Sequence, residues 1–392
     1  MANKIRCERL FIITICFILV FSLSACKKLA KVGEDEENTI SESIPQGTAG
    51  ADVAFILPTD DASVIERSGW VQKAWEGVKS FCEGNGKSVT WYAPQSNTTQ
   101  GFSDVIKTAA SGGTGAIVST GPGSVEALAK AQSEFQSVKF IAVEASGIQP
   151  LIEDNTYAIF HQVNEAGFLA GVAAVKGGFK NIGILTGYDT PEMNAWCYGY
   201  IQGINYAAGN EGISGISVKQ KYVNSSVASP AIQELAASWY DDGCDLIIPL
   251  MDGGNLSLFA AADKANKPCF GSDVDQGALS EMVLTGAVRH IDKSVSSALK
   301  SAYAGDFPGG TYKWFTVTDA GVGLAEGNWR MDQFGYTLDS YKEDLKAFTD
   351  NVNKQRSSLL VEAISRKDPG TNAFDALWNA LEKKNIEFTA IK

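Results

Sequence analysis

The chain has 392 residues, of which 45% are hydrophobic, 20% charged and 39 glycine, and its formal net charge is −12. That is ordinary for a globular α/β protein and long enough for two domains, each with a buried core. The acidic balance disfavours nucleic acid and anionic lipid as partners, since both are polyanions.

Lys4, Arg6 and Arg9 precede an apolar run from Leu10 to Phe21 that closes on Leu23-Ser24-Ala25-Cys26. A positive head, a short apolar middle and small residues before the break predict a secretory signal over residues 1–25, too brief to span a bilayer comfortably. The Leu-Ser-Ala-Cys run resembles the lipobox of bacterial lipoproteins. That resemblance implies acylation of Cys26, which becomes the first residue of the mature chain; an uncleaved anchor or an ordinary secreted protein are the alternatives. Acyl chains bury about 0.8 kcal/mol per CH₂, so two or more hold a protein stably at a membrane. The expected location is the cell membrane, lipid-anchored and extracytoplasmic. Loss of Lys4, Arg6, Arg9 and Glu8, a net +2, takes the formal charge from −12 to about −14.

Cys7 and Cys16 leave with the signal. Cys82, Cys197, Cys244 and Cys269 remain, with no Cys-x-x-Cys pair among them, and are expected as buried thiols. Residues 26–50 are polar, rich in Glu, Ser and Gly, and lack apolar periodicity, which predicts a flexible tether behind the lipidated cysteine.

From Asp52 onward, short apolar runs alternate with helix-length amphipathic segments. The expected strands are Val53–Leu57, Ser88–Tyr92, Gly115–Ser119, Lys139–Val143 and Tyr157–His161. A second set follows at Asn181–Thr186, Ile216–Tyr222, Leu246–Leu250, Pro268–Gly271 and Met282–Ala287. Expected helices include Val71–Glu83, Ser124–Phe135, Glu165–Val175, Ala195–Ala208, Ser229–Asp241, Leu256–Lys264 and Ser294–Ala304. Residues 330–366 predict one long closing helix, and Ala373–Lys383 a short amphipathic element without a readable role. Strands apolar on both parities indicate parallel sheets covered on both faces, and their alternation with helices predicts a doubly wound architecture. About ten strands exceed one comfortable open sheet, so two lobes are expected. Their boundaries are expected at 51–160 plus 273–308 for lobe 1 and 161–272 plus 309–392 for lobe 2. The natural site is the cleft between them, at the carboxyl ends of the strands.

Motifs for chemistry are scarce. His161 and His290 are the only histidines, and no His-Glu-x-x-His, Gly-x-Ser-x-Gly or Walker loop is present, so neither a metal site nor a triad is expected, and no cofactor. Thr120-Gly121-Pro122-Gly123-Ser124 lies between a strand and a helix and offers either backbone N–H groups to a ligand or a plain tight turn. Asp273-x-Asp275-x-Gly277 has its glycine one position early for a calcium loop and no distal glutamate. The chain reads as a binder.

Three groups of residues, taken in order, are specific. Asn164-Glu165-Ala166-Gly167-Phe168-Leu169-Ala170-Gly171 precedes Asn181-Ile182-Gly183-Ile184-Leu185-Thr186-Gly187 and Trp196-Cys197-Tyr198-Gly199-Tyr200. Gly243-Cys244-Asp245-Leu246-Ile247 follows with Gly253-Gly254, then Gly271-Ser272-Asp273-Val274-Asp275-Gln276, and Ala74-Trp75-Glu76-Gly77 lies upstream. From about residue 52 to about 366 this order resembles the basic membrane protein family of substrate-binding lipoproteins, of the purine nucleoside receptor type. The resemblance implies a two-lobed periplasmic-binding fold of type I that delivers a nucleoside to an ABC importer. Lobe closure then captures the ligand, as a monomer and without a chemical step.

The same resemblance implies that Trp70 and Trp196 sandwich the base, a stacking contact of about 1–3 kcal/mol per ring. The alternative for a helical tryptophan is core packing, expected for Trp75. Asp273 is implied to accept from ribose hydroxyls, or else to cap a helix or hold a hinge, at a point where the chain would cross between lobes. Gly253 or Gly254 either lets backbone approach the sugar or makes a turn. Arg289 stands where the family has a lysine, which changes reach and geometry. Glu144 stands where it has an aspartate on the base. Asp60 and Asp61 lie in a lengthened loop, where they face the ligand or cap. The rival readings are another small molecule (a sugar, a flavin-like ring or a signalling ligand), a surface lipoprotein used in adhesion or signalling, and a nucleoside hydrolase, for which no carboxylate cluster is legible.

Overall fold

The computed structural model describes residues 46–350 and 385–391. The signal, Cys26, most of the tether, the end of the 330–366 segment and Ala373–Lys383 lie outside them. The compact unit that begins at Gly47 carries every described element.

Two sheets form. The first runs β2-β1-β3-β4-β5-β11, with β1 Val53–Ile56, β2 Val89–Tyr92, β3 Ala116–Thr120, β4 Lys139–Val143, β5 Thr156–His161 and β11 Thr311–Phe315, all parallel. The second runs β13-β7-β6-β8-β9-β10-β12, with β6 Asn181–Thr186, β7 Ile216–Tyr222, β8 Leu246–Leu250, β9 Cys269–Asp273, β10 Val283–Arg289, β12 Val322–Leu324 and β13 Ile386–Ile391. Only β12 is antiparallel, against β10. Every residue of β1, β3 and β8 is buried, the pattern of strands with helices on both faces. The expected α/β fold of two doubly wound sheets is thus present. Each sheet reverses its strand order at one point, between β1 and β3 in the first and between β6 and β8 in the second. Ligands of such sheets bind outside the strands' carboxyl ends at that reversal.

Helices α1 (Gly69–Asn85), α2 (Thr99–Ser111), α3 (Val125–Glu134) and α8 (Ile291–Ala304) cover the first sheet. Helices α4 (Val163–Lys176), α5 (Pro191–Asn210), α6 (Pro230–Asp241), α7 (Asn255–Ala265) and α9 (Leu338–Asp350) serve the second. The glycine-bearing motifs explain one contact in particular. On α4 and α5, Gly167, Gly171, Gly199 and Gly203 bring the two backbones together. A methyl group at Gly167 would lie 2.7 Å from the Trp196 carbonyl oxygen, and one at Gly203 would collide with the carbonyl of Phe168.

The lobe boundaries differ from the sequence expectation. Strand β10 lies in the second sheet, whereas the expected boundary places residues 273–308 in lobe 1, and β11 lies in the first, whereas 309–392 are expected in lobe 2. The chain crosses between lobes at Gln162, at His290 and over 316–321. These crossings are stitched together: Gln162 N–H donates to the Phe315 carbonyl, His290 N–H to that of Gly321, and Val317 N–H to the buried Glu165 carboxylate. Asp273 is therefore interior to lobe 2, and Arg289 is the strand residue beside a crossing. Apolar periodicity identifies strands but carries no signal for which sheet each one joins. The tether also ends earlier than Gly50, because Gly47 and Thr48 N–H groups bond to Trp91 and Thr90 on strand β2. Within 330–366 the described part breaks after a 3₁₀ turn, with Gly335 at φ 78°, before α9 begins at Leu338. The four remaining cysteines are free and buried.

Candidate ligand-binding cleft

Trp70 is the second residue of α1. It is half-buried, and its ring edge lies beside Gly121, just past β3. Gly121 holds φ 77° and donates its N–H to the Val143 carbonyl, so the Thr120–Ser124 segment is a tight turn supporting the indole. A side chain there would be strained and would press on Pro58 at 3.0 Å. Trp70 thus stands at the first sheet's reversal point.

Trp196 comes from the opposite lobe, on α5 after β6. Thr190 caps this helix by accepting from Met193 N–H, Pro191 occupies its first turn, and Glu192 and Trp196 lie one turn apart on the same face. Trp196 is only 1% exposed and packs in the core of lobe 2. It is both a core residue and a wall of the cleft, because the Arg289 guanidinium carbon lies 5.9 Å from its ring centroid and 5.9 Å from that of Trp70. Trp75, by contrast, is fully buried beside Phe55.

Arg289 is 3% exposed, and carboxylates from both lobes surround it. Its Nε and Nη2 donate to the two oxygens of Asp273 at 2.6 and 2.8 Å, a bidentate fork. Nη1 donates to Glu192 at 2.7 Å and lies 3.2 Å from Glu144. Behind Glu144, His161 Nδ1 is 2.6 Å from the same carboxylate, and its Nε2 is 3.2 Å from the Ser294 hydroxyl. Asp252, which follows β8, accepts from the Gly69 N–H at 3.3 Å and so ties the start of α1 to the other lobe.

Glu144, Asp252 and Asp273 have φ of 51°, 51° and 72°, in the left-handed region that non-glycine residues seldom adopt. Three such acids at the carboxyl ends of β4, β8 and β9 indicate local strain held in place by the surrounding fold, the usual mark of a functional site. Their electrostatics diverge. Burial pushes Glu144 up, but Arg289 and His161 outweigh it and hold the carboxyl below its ordinary value. Burial, then repulsion from Asp273, raises Asp252. Glu192 is pushed up to about 7 by burial, with Glu144 and Asp273 repelling it and Arg289 opposing the shift.

The other expected site residues sit as follows. Asp60 exchanges hydrogen bonds with Asn97, and Asp61 accepts from Ser63 N–H and hydroxyl, a local turn network. The Gly254 N–H bonds to the Ser226 and Met251 carbonyls within a 3₁₀ turn, and Gly253 lies in the same turn beside Asp252. Trp70, Trp196, Asp273, Arg289 and Glu144 therefore converge. Asp60, Asp61 and Gly254 are engaged in their own turns. The sequence did not single out Glu192, Asp252 or the contact of His161 with the Glu144 carboxylate. Asp252 shared one signal with Glu144, an acid directly after an apolar run, and Glu192 lay at helical spacing from Trp196. Among the described residues no group of His, Cys, Asp and Glu is arranged to hold a metal ion, and no helix is long and apolar enough to cross a membrane.

Residues 58–367 match the family model described as ABC transporter substrate-binding protein PnrA-like. The chain is 27% identical over 309 residues to the ABC transporter nucleoside-binding protein BmpA of Lactococcus lactis, covering 72% of this chain and 85% of that one. It is 25% identical over 296 residues to the CD4+ T-cell-stimulating antigen of Listeria monocytogenes, covering 70% and 80%. Among solved structures, an ABC transporter solute-binding protein from Aeropyrum pernix superposes with TM-score 0.64 at 18% identity, covering 84% of this chain and 97% of that one. A solute-binding protein from Conexibacter woesei gives 0.62 at 19%, covering 78% and 97%.

Proposed function

The chain belongs to the PnrA-like family of ABC transporter substrate-binding proteins, and we propose that within it this member captures a nucleoside, of purine type, for an importing permease. One observation carries the reading: a planar guanidinium lies 5.9 Å from each of two indoles that come from opposite lobes. Two aromatic faces turned on one flat group are what a heterocyclic base requires. Exchange of the guanidinium for a base releases Asp273, Glu192 and Glu144 from Arg289. Asp273 then accepts from sugar hydroxyls with Arg289 beside it, and Glu144 meets the base edge. Hinge motion at Gln162, His290 and 316–321 opens and closes the cleft, with no chemical step. The nucleoside-binding relative in Lactococcus lactis supports the ligand class. Acylation at Cys26, outside the described residues, would tether a monomeric body on the extracytoplasmic face within reach of the permease.

Thermal-shift and calorimetric titration with nucleosides, hexoses and flavins tests this. A nucleoside is expected to raise the melting temperature and bind saturably at one site. Binding of a hexose or flavin in preference to every nucleoside overturns the ligand assignment, and base release during incubation overturns the absence of chemistry.

A further inference from the structure

Among the described side chains, four carboxylates, Glu144, Glu192, Asp252 and Asp273, face the Arg289 guanidinium, so negative charge is in excess in this group. Glu192 differs from the other three. It sits one helical turn before Trp196, on the face that carries the indole, and its side chain keeps 45% exposure while Glu144 and Asp273 keep 11% and 17%. Its hydrogen bond to Arg289 Nη1 is one that an entering ring would break. We propose that Glu192 is a specificity-determining residue: its carboxylate accepts from an N–H donor on the ring stacked against Trp196, which restricts the cleft to unphosphorylated nucleosides whose base edge presents such a donor. The proposal rests on the nucleoside reading above.

The physical reason is that several carboxylates share the Arg289 guanidinium. Arg289 on β10, Asp273 on β9 and Glu144 after β4 face the Glu192 carboxyl, His161 lies behind Glu144, and Asp189 lies in the loop before α5, bonded to Asn194. Desolvation and the two neighbouring acids raise the Glu192 pKa to about 7 against the pull of Arg289, so this carboxyl changes charge near neutral pH. A ligand N–H takes the place of the Arg289 donor that the entering ring displaces. A phosphate is disfavoured, because a dianion would enter a site that already holds surplus negative charge.

The test is calorimetry of the wild type and Glu192→Gln with adenosine, guanosine, inosine, uridine and cytidine, then with the 5′-monophosphate of the tightest binder, at pH 6 and pH 8. If only the carboxylate form binds, a group titrating near 7 makes affinity about tenfold higher at pH 8 than at pH 6. Glu192→Gln is expected to abolish that pH dependence, weaken the nucleoside at least tenfold at pH 8 and narrow the gap to the monophosphate. Equal affinity and an unchanged pH profile in Glu192→Gln overturn the role of Glu192 while nucleoside capture stands. So does a wild type that binds the monophosphate as tightly as the nucleoside. Failure of all five nucleosides to bind the wild type overturns the functional reading and this inference with it.

Discussion

Trp70 and Trp196 look equivalent on paper, yet their surroundings give them different mutational signatures. Trp70 is half-buried at the start of α1, so Trp70→Ala is expected to weaken nucleoside binding by about 1–3 kcal/mol, the loss of one stacking face, with a nearly unchanged melting temperature. Trp196 is part of a core, and its replacement by alanine should cost about 3–5 kcal/mol of stability as well. Calorimetry beside thermal melts separates the two; a large loss of stability in Trp70→Ala would contradict the assignment. Arg289 is the counterpart case. Arg289→Met leaves Asp273, Glu192 and Glu144 without their shared cation and should destabilise the protein by about 3–5 kcal/mol, read by denaturant unfolding. An unchanged midpoint would mean that the carboxylates had found water instead.

One pair of elements is positioned by close backbone contact as well as by apolar packing. Helices α4 and α5 touch through glycines, and this contact sets where Trp196 and Glu192 stand relative to β10. Gly199→Val pushes a side chain into the Asn164 backbone and should cost about 1–3 kcal/mol, with ligand affinity falling as the helix shifts. Gly84, in α1, has open space around it, so Gly84→Ala should stabilise by about 0.4–1 kcal/mol. Melting temperatures of the two variants moving in the same direction would sink the packing argument. Strand positions were legible where short apolar or alternating runs lie between turn residues and helix-length segments; β4, β6, β7 and β8 occupy the expected residues. Strands β11, β12 and β13 were not, because the exposed faces of β11 and β13 interrupt the apolar pattern and β12 has three residues.

At the scale of the whole molecule, the cleft acts as a charge-dependent clasp. Glu144 belongs to one lobe and Arg289 to the other, and the Glu144 carboxyl is held below its ordinary pKa. A depressed folded-state pKa means that this group's contribution is complete above the ordinary carboxylate range and is lost as pH falls through the depressed value. The melting temperature is therefore expected to fall as pH drops below about 5, and Glu144→Gln should flatten that slope. A wild type and variant with parallel profiles would show that the clasp contributes nothing to closure.

The apolar rhythm along the chain determined two doubly wound sheets, because local periodicity is written in the chain itself, and the family resemblance carried by the ordered motifs implied Trp70, Trp196, Asp273, Arg289 and Glu144. Only the tertiary structure decided that β10 and β11 exchange lobes, that Trp196 is also core, that Arg289 and Asp273 grip each other, and that Glu192, Asp252 and His161 complete the cluster. Those facts depend on which strand ends meet across the cleft. Such meetings are set by the packing of distant segments, and a one-dimensional pattern does not encode them separately.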